Sequence, residues 1–435
     1  MRARHLSLVP LVWTALACAG STSGSRRDGN AVSECCLEAG RRIATQHKVS
    51  ALATRRFTHA ELWATLDPIV RSNVLTVTPF GASIQGRALR AITYGKGPTT
   101  VLLWSQMHGD ESTATMSLAD LLAWLSASGE RDELRDRLAA RLTIVMVPML
   151  NPDGAELFQR ENAIGIDVNR DARRLTTPEA RSLKALRDSI QPAFAFNLHD
   201  QNARTLGGPN GRQVGIAILA PAADAERTYG PTRATARLVA ARMREVLEQE
   251  IPGRVAKYDD AFNPRAFGDL IQQWGTSTVL IESGALPDDP EKQRLRSVNV
   301  IAILTALNAL ATEGYRSADP NVYESLPVND RAAVDLLITS ADLMLPGQPP
   351  MRIDLALNYE DALRKGRMRV REVGDLAAVV ALDTVNAAGL FLHPAPSMLT
   401  EQDGRLWLRV NAPVRLAIRR GRDVTSPLVR EIGGE

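Results

Sequence analysis

Two histidines, two glutamates and a few arginine and asparagine residues stand where they could build a metal-assisted hydrolytic centre. His108 is followed three residues later by Glu111, His199-Asp200 closes the apolar run Phe194 to Leu198, and Glu282 closes the run Ser277 to Ile281. The run from Leu142 leads into Asn151-Pro152-Asp153-Gly154, then Arg160 and the pair Asn169-Arg170. A His and a Glu three apart across a strand-to-helix turn can face one centre. A second His from a neighbouring strand end would complete three protein ligands for a catalytic zinc and leave the fourth position open to water. Glu282 suits a carboxylate that is no ligand and takes a proton from that water. Charge developing on a carbonyl oxygen needs a positive donor, and a substrate carboxylate needs a guanidinium fork. Arg160 and Asn169-Arg170 offer both groups. With three cysteines (Cys18, Cys35, Cys36) against six histidines, a Cys-rich zinc finger is excluded.

Each piece alone is weak. A histidine with an acid three residues on arises by chance in a chain carrying 49 Asp+Glu. His199 would also suit a hydrogen-bonded core histidine, and Glu282 a helix-capping or salt-bridged carboxylate. Their shared position is the stronger signal, because ligands of a covered α/β sheet bind beyond the carboxyl ends of its strands.

The elements that must position them are short apolar strands alternating with amphipathic helices. Thr58 is a plausible N-cap for a helix to about Val70, and Val74 to Val77 with Ala88 to Tyr94 predicts a hairpin. Thr100 to Trp104, Leu142 to Val147, Phe194 to Leu198, Ile216 to Leu219 and Ser277 to Ile281 predict buried strands. Ser112 to Ser126, Pro178 to Ile190, Thr232 to Glu250 and Pro290 to Ala311 predict helices. The fold class is therefore α/β, a mixed and mostly parallel sheet covered by helices on both faces. After Gly314 the texture changes: Met351 to Leu357, Leu406 to Val410 and Val414 to Ile418 alternate with period two, as half-buried antiparallel strands do. The expected units are a catalytic domain over 57–315 and a small β-rich domain over 316–435.

Lys+Arg 52 against Asp+Glu 49, with no dense basic cluster, gives no nucleic-acid footprint. Arg2 and Arg4 precede an apolar run, Leu6 to Ala17, that ends in small residues, the layout of a signal peptide over 1–17. The junction Ala15-Leu16-Ala17-Cys18 is similar to a bacterial lipobox, so export to the periplasm or beyond is expected, with acylation of Cys18 or ordinary cleavage as the two outcomes. Residues 18–56, polar and Gly/Ser-rich at first, are expected to form a tether and linker.

Taken together, the motifs resemble the zinc carboxypeptidases of the M14 type, the carboxypeptidase A family, in their compact bacterial form. The resemblance rests on His108-Gly109-Asp110-Glu111, Asn151-Pro152-Asp153-Gly154, Arg160-x-Asn162-x-x-Gly165-x-Asp167-x-Asn169-Arg170, Asn197-Leu198-His199-Asp200 and Glu282-Ser283-Gly284. It implies one Zn2+ held by His108, Glu111 and His199, Glu282 promoting water attack, Arg160 at the oxyanion, and Asn169 with Arg170 on the free C-terminal carboxylate. It also implies a mobile tyrosine about two dozen residues before the catalytic glutamate, and Tyr258 lies 24 before Glu282. The segment setting side-chain preference would fall near Ala266-Phe267-Gly268-Asp269, and 18–56 is too short for a folded inhibitory pro-domain.

The expected function is a zinc metallocarboxypeptidase that removes the C-terminal residue of exported or extracellular peptides, with a glutamate general base. The expected partner is a peptide with a free carboxylate, with no nucleic acid, and with membrane contact only through an N-terminal lipid. A cell-wall peptide amidase or an N-acyl amino acid deacylase could use the same zinc site. A catalytically inactive surface binding protein would be expected to lack a ligand or the carboxylate, and this chain has them all.

Overall fold

The continuous apolar runs pair into one eight-stranded sheet in a computed structural model that describes residues 36–128, 132–208, 211–329 and 331–433. The signal-peptide and Cys18 expectations lie outside the described residues. A helix over 36–46 (α1) and α2 (His59–Val70) precede the hairpin of β1 (Leu75–Ala82) and β2 (Ala88–Tyr94). Thr58 caps α2 reciprocally with Glu61. The chain then runs through β3 (Thr99–Ser105), α3 (Thr113–Ser126), α4 (Glu133–Arg141), β4 (Leu142–Val147), α5 (Pro152–Leu157) and α6 (Pro178–Ile190). It continues through β5 (Phe194–Asp200), β6 (Thr205–Leu206), β7 (Ile216–Leu219), α7 (Pro231–Glu250), β8 (Val255–Lys257), α8 (Phe267–Gln273), β9 (Ser277–Ser283) and α9 (Gln293–Ala311).

The sheet order is β1-β2-β4-β3-β5-β9-β7-β8. Strands β4, β3, β5 and β9 are parallel, whereas β7 runs antiparallel to β9. Alternate residues of β3 enter two cores. Val101 and Leu103 pack in the cluster that includes residues of α2, α3, α7 and α9, and Leu102 with Trp104 in the cluster under α6 and α8. Burial on both faces explains why the central strands read as unbroken apolar runs.

Two expected boundaries shift. Residues 36–56 are no tether but part of the first core, where Ala39, Ile43 and Leu52 are buried and Leu37 packs with Val246 of α7 and Ile301 of α9. Apolar residues at 36, 37, 39, 40, 43 and 44 form the helical stripe that carries this packing. Its partner groups are buried too. The Arg296 guanidinium, fully buried in α9, donates to Asp120 at 2.7 Å and to the carbonyls of Leu52 and Val49. At the other end the core extends past 315. Helix α10 (Pro320–Glu324) packs on α7, and the buried Tyr323 hydroxyl accepts from the Ala220 N–H at 3.0 Å.

Strand β10 (Arg331–Ala332) pairs with β6, after which a second sheet begins. It comprises β11 (Val334–Leu343), β12 (Met351–Tyr359), β13 (Met368–Gly374), β14 (Ala381–Asn386) and β15 (Phe391–Pro394), then β18 (Leu416–Arg419) and β19 (Leu428–Ile432), with β16 (Leu399–Gln402) and β17 (Arg405–Leu408) as a separate hairpin. Leu336, Ile338, Leu355, Val370 and Ile418 belong to its own core. The period-two segments pair antiparallel as expected, but β14 and β15 run parallel to β11, a feature that alternation alone does not encode.

Asp120→Ala would leave the Arg296 charge buried without its carboxylate, so a loss of about 3–5 kcal/mol is expected. Urea unfolding of the full chain checks it; a loss below about 1 kcal/mol would mean that the pair does not hold 36–56 to the core.

Candidate active site

The turn after β3 is fixed by backbone contacts that only certain residues permit. Gln106 takes a left-handed φ of 50°, and its side-chain amide donates to the Gly109 carbonyl at 2.8 Å. A Cβ on Gly109 would stand 2.0 Å from the carbonyl carbon of Gly154, so the His108-Gly109-Asp110-Glu111 and Asn151-Pro152-Asp153-Gly154 motifs meet glycine to glycine. Asn151 caps α5 by accepting from the Gly154 N–H at 2.9 Å, and its amide reaches the Arg160 carbonyl at 3.3 Å. Asp153 is structural: fully enclosed, it accepts from Ser83 Oγ, Gln85 N and Arg87 Nη1 and so ties down the β1–β2 turn.

This turn brings His108 and Glu111 beside His199 at the end of β5. His108 Nδ1 lies 2.7 Å from Glu111 Oε1, His199 Nδ1 lies 2.6 Å from Glu111 Oε2, and the two Nδ1 atoms are 3.2 Å apart. All three side chains are buried. Ligand atoms at about 2.0–2.1 Å from a tetrahedral zinc sit about 3.3 Å from one another. Two imidazole nitrogens and a carboxylate converging at this scale are a borderline-soft donor set of the kind zinc takes, so the residues fit the ion.

Asp167 holds the arrangement from outside. Its Oδ1 accepts from His108 Nε2 at 3.0 Å and from the Asn169 N–H at 2.8 Å, while Oδ2 accepts from Arg160 Nε at 3.0 Å. By occupying Nε2 it leaves Nδ1 of His108 as the ligand nitrogen. The loop that presents it is built by Asn162, whose Oδ1 accepts from the Ile164 and Ile166 N–H groups, and by Gly165 at φ 76°. Sequence reasoning quoted Asp167 within its motif but gave it no role. The usable signal was its place two residues before Asn169, where it caps a helical turn.

The charges follow from burial and neighbours. Burial opposes a charge on His108, yet the carboxylates of Glu111 and Asp167 outweigh it and raise its pKa to about 9. Burial would raise the Glu111 carboxyl too, but the two histidines hold it far below the usual carboxylate range. His199 is pushed down, chiefly by burial. Glu282 faces His199 across the β5–β9 register; burial first, and then the Glu111 charge, push its carboxyl well above the ordinary value. Tyr258, just beyond β8, has its hydroxyl raised by the Glu282 charge and by burial.

One cleft of about 790 Å3 is lined by every site residue expected from the sequence: His108, Glu111, Arg160, Asn169, Arg170, His199, Tyr258 and Glu282. Arg160 reaches Glu111 Oε1 at 3.3 Å and keeps its guanidinium partly open to the cleft. Asn169 Oδ1 accepts from the Phe267 N–H at 2.9 Å, which leaves its NH2 as the donor end on the cleft side, where Nδ2 lies 3.5 Å from His199 Nε2. Of the expected specificity segment, Ala266, Gly268 and Asp269 line the cleft and Phe267 turns into the core.

The class defined by this sheet and this buried His-Glu-His cluster is that of a metallohydrolase-like α/β domain. Residues 66–201 match the Peptidase_M14 family, described as zinc carboxypeptidase. The matched stretch contains all three candidate metal ligands, Arg160, Asn169 and Arg170, whereas Tyr258 and Glu282 lie beyond it. Carboxypeptidase 2 of Trichophyton rubrum is 32% identical over 109 residues, which is 25% of this chain and 20% of that protein. Carboxypeptidase D of Drosophila melanogaster is 31% identical over 135 residues, 26% of this chain and 10% of that protein. The chain thus spans about a fifth or less of the length of these two curated relatives. A metallo-carboxypeptidase structure from Burkholderia cenocepacia is similar at 20% identity and a TM-score of 0.49, covering 59% of this chain and 70% of that one.

Two outcomes follow. Asp167→Asn is expected to weaken zinc binding about 10- to 100-fold, measured by competition with a chromogenic chelator; an unchanged affinity would remove Asp167 from the site. Because metal-free His108 holds a proton below about 9, zinc must displace it at neutral pH. Affinity should therefore rise about tenfold per pH unit between pH 6 and 8, with about one proton released. Calorimetry in buffers of different ionisation enthalpy reads that proton directly.

Proposed function

We propose that this protein is a zinc-dependent carboxypeptidase that hydrolyses the C-terminal peptide bond of peptides outside the cytoplasm. The observation that carries the reading is the convergence of His108, Glu111 and His199 with Glu282, Arg160 and Asn169-Arg170 in one cleft. Zinc, held by His108, Glu111 and His199, supplies Lewis acidity that polarises a carbonyl and lowers the pKa of water.

The chain's own residues then divide the work. Arg170 and the Asn169 NH2 grip the substrate's terminal carboxylate, which makes the enzyme an exopeptidase. Glu282 takes the proton of the attacking water on a carboxylate oxygen and passes it to the leaving amine. Its buried setting beside Glu111 favours the protonated form and so strengthens it as a base. The Arg160 guanidinium, oriented by Asp167, donates to the oxygen on which negative charge develops. Tyr258, which lines the cleft just beyond β8, covers the occupied site. Export is supported by the charged, apolar and small-residue pattern of residues 1–17, with Cys18 as the candidate for acylation.

Glu282→Gln tests the mechanism. Near-stoichiometric zinc should be retained while release of a C-terminal amino acid from simple peptides falls about 10³-fold or more. Unchanged hydrolysis in that variant would defeat the assignment. Wild-type activity only on murein tripeptides or N-acyl amino acids would favour the amidase or deacylase reading instead.

A further inference from the structure

The strand end that carries His199 continues into a loop that the rest of the chain fastens from below. Asp200, which follows the ligand, is paired at 2.9 Å with the buried Lys292, so it presents no free charge. Beyond it, Arg204 makes a two-pronged ion pair with the buried Asp335 of β11 and reaches the Tyr359 carbonyl. Strand β6 pairs with β10, and the Ala333 N–H donates to the Arg204 carbonyl. The segment between the two sheets also fastens the element that presents Tyr258: Lys257 N–H donates to Pro327 O and Asn329 N–H to Lys257 O. The connection between the sheets is therefore woven into the cleft wall on two sides.

Asn329 belongs to this connection, and it lines the same cleft as the metal-ligand cluster. Its Nδ2 donates to Gln201 Oε1 at 2.6 Å, and Gln201 Nε2 is buried with no hydrogen-bond partner among the described residues. Gln201 is held in place by backbone: its N–H donates to Ser283 O at 2.9 Å, and a Cβ on Gly284 would stand 3.1 Å from its Nε2. A buried donor without a partner costs free energy unless a ligand satisfies it. Neutral amides suit an uncharged polar ligand, and the cleft of about 790 Å3 is large enough for more than one amino-acid residue.

We propose that the Gln201–Asn329 amide pair is a substrate subsite that hydrogen-bonds the peptide main chain on the amino side of the scissile bond. Gln201 Nε2 is the donor and a peptide carbonyl the acceptor. Asn169 and Arg170, built from other elements, hold the terminal carboxylate, which leaves this wall to the upstream residues. The inference rests on the proposed carboxypeptidase function and deepens it: the enzyme acts on chains longer than a dipeptide, and the segment leading to the β-rich region completes the site.

The test compares N-acetylated dipeptides with pentapeptides sharing the same two C-terminal residues, for the zinc-loaded full chain and for Asn329→Ala and Gln201→Met. The wild type should cleave the longer peptide with higher kcat/KM. Each variant should reduce that length preference about 3- to 10-fold, through KM for the pentapeptide. A length preference that persists in both variants while the wild type cleaves both peptides would overturn the subsite and leave the carboxypeptidase reading standing. Cleavage of neither peptide by the wild type would defeat the carboxypeptidase reading itself. Thermal unfolding of each variant at the wild-type midpoint separates a lost contact from a damaged fold.

Discussion

The site depends on one buried carboxylate. Glu111 sits between two imidazoles with both oxygens engaged, and its negative charge acts on the protonation of His108 and Glu282. It draws a proton onto His108 and discourages ionisation of Glu282. Removing such a charge from water is costly, and the cost is met by converging donors: the two histidines, Arg160 and the Asp200 N–H. A divalent cation satisfies the same electrostatic demand, so the residues that compensate Glu111 in the metal-free arrangement are those that would share the ion with it.

Holding those groups within about 3 Å requires rigid supports, which explains the placement on strand ends. Strands β3, β5 and β9 are adjacent and parallel, so their carboxyl ends deliver His108, His199 and Glu282 to one edge. Between them the chain inserts the loop carrying Arg160, Asp167, Asn169 and Arg170. Asp167 links that loop to the metal cluster through His108, and Asn169 links it to α8 through the Phe267 N–H. The second sheet, at first sight an appendage, reaches the same edge through Arg204–Asp335 and Asn329.

Much of this was legible in the sequence for physical reasons. Unbroken apolar runs marked the central strands because both faces are buried, and Thr58 marked the start of α2 because a side-chain cap leaves a local signature. The site residues were legible because they follow those strands. What was hidden is tertiary. The stripe on α1 finds its partners on α7 and α9, far away in sequence, and was obscured by the polar stretch before it. Strand β8 is three residues long, too short for periodicity to register. The parallel pairing of β14 and the Gln201–Asn329 contact depend on chain path, and no local pattern records them.

Zinc K-edge X-ray absorption on the purified full chain is the most direct test of the central claim. The account predicts one zinc per chain in a shell of nitrogen and oxygen only, with the outer-shell scattering of two imidazoles, reduced to one imidazole in His199→Ala. A shell containing sulfur, or two imidazoles persisting in that variant, would contradict it.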